Sequence, residues 1–332
     1  MSKRLTLLIC IGLFLSSQGM AQFRGTRTVT ERNYPNCIEL SNDSVRVVLE
    51  PNLGGRVLAY ELNGKNVLYV EDAQDGKIYE PGKYIHPSGG RSDIGPEKTI
   101  APHPALFFGK WETRITGERE AEMISQKDTA TGVQLIRKFK LAKTGSRLEF
   151  TQIIKNTGNS TKNYCHWSRT FVKGSGISLL PVNPQSRYPK KYIMYGPGNI
   201  MNFTPENEGS IRMREGIMEI VAPPVQPKIV TDSNEGWLAY ITRDNQLFIK
   251  KYPVYPGRIY GEMAASTACV FYRDIMCEIE PIGPMETIDP GKEVSFTENW
   301  YLYSYPYPSD KITDLKSILS RIHQLEPKIT TH

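Results

Sequence analysis

Val45–Leu62 reads VRVVLEPNLGGRVLAYEL, and the fold is decided by how this stretch is read. Val45 to Leu49 is an apolar, β-branched run, Pro51-Asn52-Leu53-Gly54-Gly55 is turn chemistry, and Arg56 to Leu62 is a second apolar run. Two such runs around a Gly-rich turn predict a β-hairpin. Asn63-Gly64-Lys65 suits positive φ, so a second hairpin is expected there, with Val67 to Val70 as the returning strand. Working outward, Trp111–Thr116, Glu122–Gln126, Gln134–Leu141, Arg147–Ile154 and Val294–Tyr303 alternate apolar with polar, and further strands are expected at Lys162–Val172, Trp237–Thr242, Gln246–Lys251, Ala268–Tyr272 and Ile275–Pro281. Short strands broken by Gly and Asn turns predict an all-β sandwich of antiparallel sheets. In the last strand Glu298 falls on the apolar face and breaks the period.

Ile312, Leu315, Ile318, Leu319 and Ile322 recur at helical spacing, which predicts a C-terminal helix over 309–325, with Ser309 able to cap it. Residues 181–227, rich in Pro, Gly and Asn, read as long excursions shaping one side of a cleft. At the other end Lys3 and Arg4 precede the apolar run Leu5–Leu15 and the small-residue sequence before Gln22. This is the pattern of a signal peptide over 1–21, so the chain is expected to be exported, periplasmic or extracellular, with no membrane span after cleavage. Residues 22–35 read as a frayed lead-in and 36–327 as a single domain including the helix.

Without Lys3 and Arg4, the 41 basic residues become 39 against 35 acidic ones, a net +4. That balance is too mild and scattered to imply nucleic acid. Cys37, Cys165, Cys269 and Cys277 allow three pairings, which sequence cannot choose among, and no C-x-x-C spacing suggests a metal.

Three stretches carry candidate chemistry. Tyr84–Trp111 gathers His86, Arg91, Asp93, Glu97 and His103 among four prolines and four glycines, which predicts an ordered polar loop without a long helix or a regular central strand. In Tyr164–Arg169, Tyr164, His166 and Ser168 share a face and Trp167 points the other way. In Cys277–Pro281, Glu278 and Glu280 share the face opposite Cys277 and Ile279, with Arg258, Tyr260 and Glu262 nearby in sequence. Each has a plainer reading, respectively a solvated loop, a structural histidine and a wet sheet face.

The PNLGGR turn, together with the ending Glu278-Ile279-Glu280-Pro281, Pro290-Gly291-Lys292-Glu293 and Trp300, resembles the galactose mutarotase-like (aldose 1-epimerase) superfamily. Within it, Gly89-Gly90 followed by Pro96-Glu97 is similar to the exported DUF4380 family. The resemblance implies a β-supersandwich binding carbohydrate, a mono- or oligosaccharide, across a concave sheet face, in a monomer or weak oligomer. By position it implies Glu280 as base on the anomeric hydroxyl and His166 as acid at the ring oxygen, a proton exchange that needs no cofactor. It further implies substrate binding by Arg91, His103, Glu97, His86, Glu278, Glu262 and Trp111, with Trp167 or Trp237 as other stacking candidates. The superfamily's His-Gly-Gly signature is absent, and no aromatic-Asn pair follows His166. A sugar-binding module without turnover, and a glycan hydrolase or lyase on the same fold, remain the alternatives.

Overall fold

The computed structural model describes residues 23–196, 200–206 and 209–325. The expected signal peptide, and residues 326–327 of the expected domain, lie outside the described residues. Period-two alternation along the predicted strands yields two antiparallel sheets packed face to face. Among the described residues the first sheet has thirteen strands and the second has ten. The main path of the first runs Thr26–Glu31, Tyr34–Ser41, Val45–Glu50, Arg56–Leu62, Gly90–Gly95, Lys162–Lys173, Met276–Pro281, Ala268–Tyr272, Lys228–Thr231, Ile193–Tyr195 and Met201–Asn202. At the centre of the second, Gln246–Lys251, Glu293–Ser304 and Leu148–Asn156 lie side by side.

Between the sheets Val47, Leu49, Val57, Ile94, Val172 and Ile279 of the first meet Phe139, Phe150, Leu238, Phe248 and Trp300 of the second. Glu298, the residue out of pattern, points into this core. Its carboxylate accepts from Trp300 Nε1 at 2.8 Å and pairs with the Lys250 ammonium at 2.8 Å. Lys250 also donates to Ser168 Oγ at 2.7 Å and Thr170 Oγ1 at 3.0 Å, so a fully buried charge pair ties one sheet to the other.

Three expectations are corrected. Residues 26–31 are an edge strand rather than a frayed lead-in: Arg27 pairs with Glu39, Glu31 with Arg46, and Thr26 Oγ1 donates to Gly117 O at 3.1 Å. The polar Tyr84–Trp111 stretch contributes Gly90–Gly95, a regular strand with all six residues buried. The helix begins at Leu315 rather than Ser309, because Lys311 takes a left-handed φ of 60° that no helix tolerates, and Asp314 Oδ1 accepts from Ser317 N at 3.0 Å instead. The helix lays Leu315, Ile318 and Ile322 on Trp237, Ala239 and Ile249 of the second sheet's far side. Each of those three side chains contributes about 1.5–3 kcal/mol by burial.

Candidate functional site

The PNLGGR turn positions everything that follows. Gly54 and Gly55 sit at φ 79° and 56°, and a Cβ on Gly54 would lie 2.1 Å from Phe107 O. Only glycine admits that approach. Two buried arginines spend their donors on backbone carbonyls around the turn. Arg91 donates to Ser88 O at 3.0 Å, Phe107 O at 2.9 Å and Leu53 O at 3.1 Å. Arg137 donates to Gly54 O at 2.7 Å and to the carbonyls of Gly55 and Ser92. The bond from Arg91 to Phe107 O, with Gly54 N donating to Gly109 O at 2.8 Å and Trp111 N to Pro51 O at 2.7 Å, clamps the end of the segment 96–111 to this turn.

Arg91 is therefore corrected from a sugar-binding side chain to a latch, since every nitrogen of its guanidinium already donates to a backbone carbonyl. Trp111 is corrected too. It is buried in the core, donates from Nε1 to Leu106 O at 3.2 Å and lies under the Arg137 guanidinium at 4.2 Å. Trp237 is covered by the C-terminal helix. His86 is exposed, packs edge-on against Tyr84 and is not in the lining of the cleft that follows.

Register then sets what shares the outer face of the first sheet, the face turned away from the second. Asp93 lies opposite Trp167 on the neighbouring strand, and Glu278 lies opposite Phe171. Trp167, Arg169, Glu278 and Glu280 point outward, while His166, Ser168 and Thr170 point into the core. A cleft of about 310 Å³ opens over this face, lined among others by Asp93, Glu97, His103, Phe107, Trp167 and Arg169. Beside this cleft Glu262 reaches Glu97 from a separate segment, its Oε2 accepting from Glu97 N at 2.7 Å. A Cβ on Gly95 would come within 2.5 Å of that oxygen, so the missing side chain leaves room for the carboxyl.

The charges are strongly organised. His103 Nε2 bonds Asp93 Oδ1 at 2.9 Å and its Nδ1 bonds Ala101 O at 2.8 Å. Both partners are acceptors, so both ring nitrogens carry protons and the ring is an imidazolium. Burial works to lower the His103 pKa, but the Asp93 hydrogen bond and charge raise it to about 9. For Asp93, burial works upward, but the His103 bond together with the charges of His103 and Arg169 and the Ile94 N–H outweighs it, leaving the carboxyl below its usual range. Arg169 pairs with Glu278 at 3.1 Å and lies over Trp167 at 4.7 Å. Burial drives the Glu278 pKa up, more than the Arg169 charge pulls it back, and Glu280 adds to the rise. Burial also raises Glu262.

The expected acid and base are not brought together. Glu280 lies on the outer face but fully buried, accepting from Trp167 Nε1 at 2.6 Å and Cys269 Sγ at 3.5 Å. His166 lies on the opposite face of the same sheet, stacked on Phe296 with centroids 5.6 Å apart. Its Nε2 has no hydrogen-bond partner, and burial lowers its pKa to about 3, so it is neutral at ordinary pH. A sheet stands between the two, and proton transfer by this pair to one sugar fails on reach.

Asp93 and Arg169 were missed as site residues, although Asp93 alternates with Arg91 and Arg169 with Trp167. That alternation was the available signal, but it does not say which face becomes the site. Among the described residues no three His, Cys, Asp or Glu side chains are placed to hold a metal, and the four described cysteines are free thiols.

Two antiparallel sheets packed face to face in this order match the galactose mutarotase-like fold of solved structures. A putative aldose 1-epimerase from Escherichia coli K12 superposes with TM-score 0.57 at 9% identity, over 80% of this chain and 98% of that one. A galactose mutarotase-like protein from Clostridium acetobutylicum gives 0.57 at 13%, over 85% and 99%. Another from Lactobacillus casei gives 0.56 at 8%, over 80% and 100%. The chain therefore has this fold, shared at identities too low to carry function. No protein-family model and no curated protein sequence matches it.

Proposed function

We propose that this chain is an exported carbohydrate-binding protein, close to the DUF4380 family, whose ligand enters the cleft framed by Asp93, His103, Phe107, Trp167 and Arg169. The observation that carries this reading is the Asp93–His103 pair beside Arg169 and the Phe107 ring in a cleft of about 310 Å³. An ionised carboxylate and a guanidinium accept from and donate to sugar hydroxyls, and an apolar wall meets the C–H face of a pyranose. The structural neighbours, described as galactose mutarotase-like and as a putative aldose 1-epimerase, favour the same ligand class. Export rests on the basic, apolar and small-residue pattern of residues 1–21.

Binding without turnover is the better supported form. Anomer exchange needs a proton for the ring oxygen, and neither histidine supplies one: His103 commits both N–H groups to Ala101 O and Asp93, and His166 is neutral on the far face. The test is calorimetric titration with glucose, galactose and xylose alongside NMR saturation exchange between their anomers. Saturable binding, weakened more than tenfold by Asp93→Asn, is expected, with no exchange above the uncatalysed rate. Accelerated exchange that Glu280→Gln abolishes would replace this reading with an epimerase. Absence of binding to every sugar tried would end it.

A further inference from the structure

Past Trp167 the outer face continues into a second cleft of about 960 Å³, lined among others by Glu97, Tyr195, Val225, Lys228, Glu262 and Phe271. Glu97 lines both clefts. Lys228 Nζ stands at their junction, 3.9 Å from Glu97 and 4.8 Å from the centre of the Trp167 ring. The clefts are thus two ends of one groove.

The floor of that groove is built by strand register. Tyr195 is opposite Lys228, Lys228 opposite Phe271, and Phe271 opposite Glu278. Adjacent strands lie about 4.8 Å apart, so the five steps from Ile193–Tyr195 to Gly90–Gly95 extend roughly 24 Å. A single ring at Asp93 would leave most of this length empty. Of this row Tyr195, Lys228 and Phe271 line the larger cleft, ring, charge and ring in succession, with Glu278 buried beneath on Arg169, which suits a ligand that repeats an apolar ring face and a hydroxyl edge.

The wall of the larger cleft gives an independent sign. Met263, Ala264 and Ala265 sit at φ 31°, 56° and 61°, three consecutive non-glycine residues in the left-handed region. They are held there by Tyr188 OH donating to Ala264 O at 2.9 Å and Ser266 N donating to Glu262 O at 3.1 Å. Backbone in so sparsely populated a conformation concentrates where a ligand is clamped. The groove is bordered at the Asp93 end by His103 and Phe107, and at its other end by Val225, which is 85% exposed.

We propose that the ligand is an oligosaccharide of at least three residues, with a terminal residue beside Asp93 and the next residues passing over Lys228 against Phe271 and Tyr195. This rests on the smaller cleft being a sugar site and adds the substrate class. The larger cleft has about three times the volume of the smaller, enough for two or more further rings.

The experiment is calorimetry on the full chain with β-1,4-glucose, α-1,4-glucose and β-1,4-xylose series, each from one to six residues. In at least one series Kd should fall tenfold or more from monosaccharide to trisaccharide. Phe271→Ala should remove that gain while leaving the monosaccharide Kd within twofold, and Asp93→Asn should weaken every length. Val225→Asp, a surface change that spares the core, should weaken only chains of three or more. Equal Kd at all lengths, or equal loss for monosaccharide and trisaccharide in Phe271→Ala, overturns the extension and leaves the sugar site standing. Absence of binding at every length overturns both.

Discussion

Along the strand Lys162–Lys173 alternate side chains enter two different worlds. Inward, Ser168 and Thr170 accept from a Lys250 ammonium whose charge Glu298 balances within the core. Outward, one residue away on each side, Trp167 and Arg169 meet Glu280 and Glu278 under a cleft. Both faces bury a cation–carboxylate pair, yet one is sealed between two sheets and the other sits beneath a groove. A buried charge pair alone therefore does not mark a site. What separates the two is access, together with polar groups such as Asp93 that still face the cleft.

The sharpest way to break this contrast is Lys250→Met. Removing one partner of a sealed pair leaves Glu298 buried without its cation, and the expected loss is about 3–5 kcal/mol in denaturant unfolding. Sugar affinity, measured below the unfolding range, should not change. Lys250→Met combined with Glu298→Gln should recover much of the loss. Full stability with abolished binding in Lys250→Met would move the site to the inner face.

Arg169→Ala tests the outer pair. Arg169 keeps about a fifth of its side chain exposed, so water screens part of the loss and the expected cost falls to about 2 kcal/mol. Unlike Lys250→Met, it should also weaken sugar binding more than tenfold, because Arg169 lines the cleft. A variant that lost stability alone would reduce Arg169 to a strut.

A smaller effect distinguishes the two histidines by the direction in which they titrate. The folded pKa of His103 is raised to about 9, so its contribution is complete below the unfolded value near 6.5 and is lost as pH rises through 9. His166 is lowered to about 3, so its neutral form is favoured above 6.5, and stability falls as pH drops from 6.5 toward 3. In a ¹H NMR titration the two imidazoles should bracket the ordinary range, and Asp93→Asn should carry His103 below pH 7 while leaving His166 in place. Two resonances that both titrate near 6.5 would erase the distinction between the faces.

Much of this architecture was legible in the sequence, because alternation reports burial on one face and short apolar runs report burial on both. Trp237–Thr242, Gln246–Lys251 and Ala268–Tyr272, buried on both faces, have the bounds that their apolar runs and flanking turns predict. Gly90–Gly95, GRSDIG, was illegible for the same reason: its burial comes from the clamped loop above and two neighbouring strands, not from apolar side chains. At the site, period two separated His166 from Trp167 correctly, but it cannot say which face a second sheet will cover. That choice is made by long-range packing, here Phe296 against His166, and positional resemblance therefore set Glu280 and His166 on opposite faces. Glu298 was legible as an exception, and its partner Lys250, some fifty residues earlier, was not.

The smallest predicted effect bears most directly on mechanism. His166 has an imidazole in a sealed core, one nitrogen without a partner, and no charge to give at neutral pH. Leucine has a similar volume and no polar atom to strand, so His166→Leu should shift stability by less than about 1.5 kcal/mol, in either direction. It should also flatten the acid limb between pH 3 and 6.5 and leave sugar affinity within twofold. A catalytic acid replaced by leucine could not behave this way: anomer exchange present in the parent and lost in His166→Leu, with the fold intact, would require the inner face to open to substrate. The Lys250–Glu298 pair that ties the sheets together stands against such an opening, so the faces should keep their separate roles.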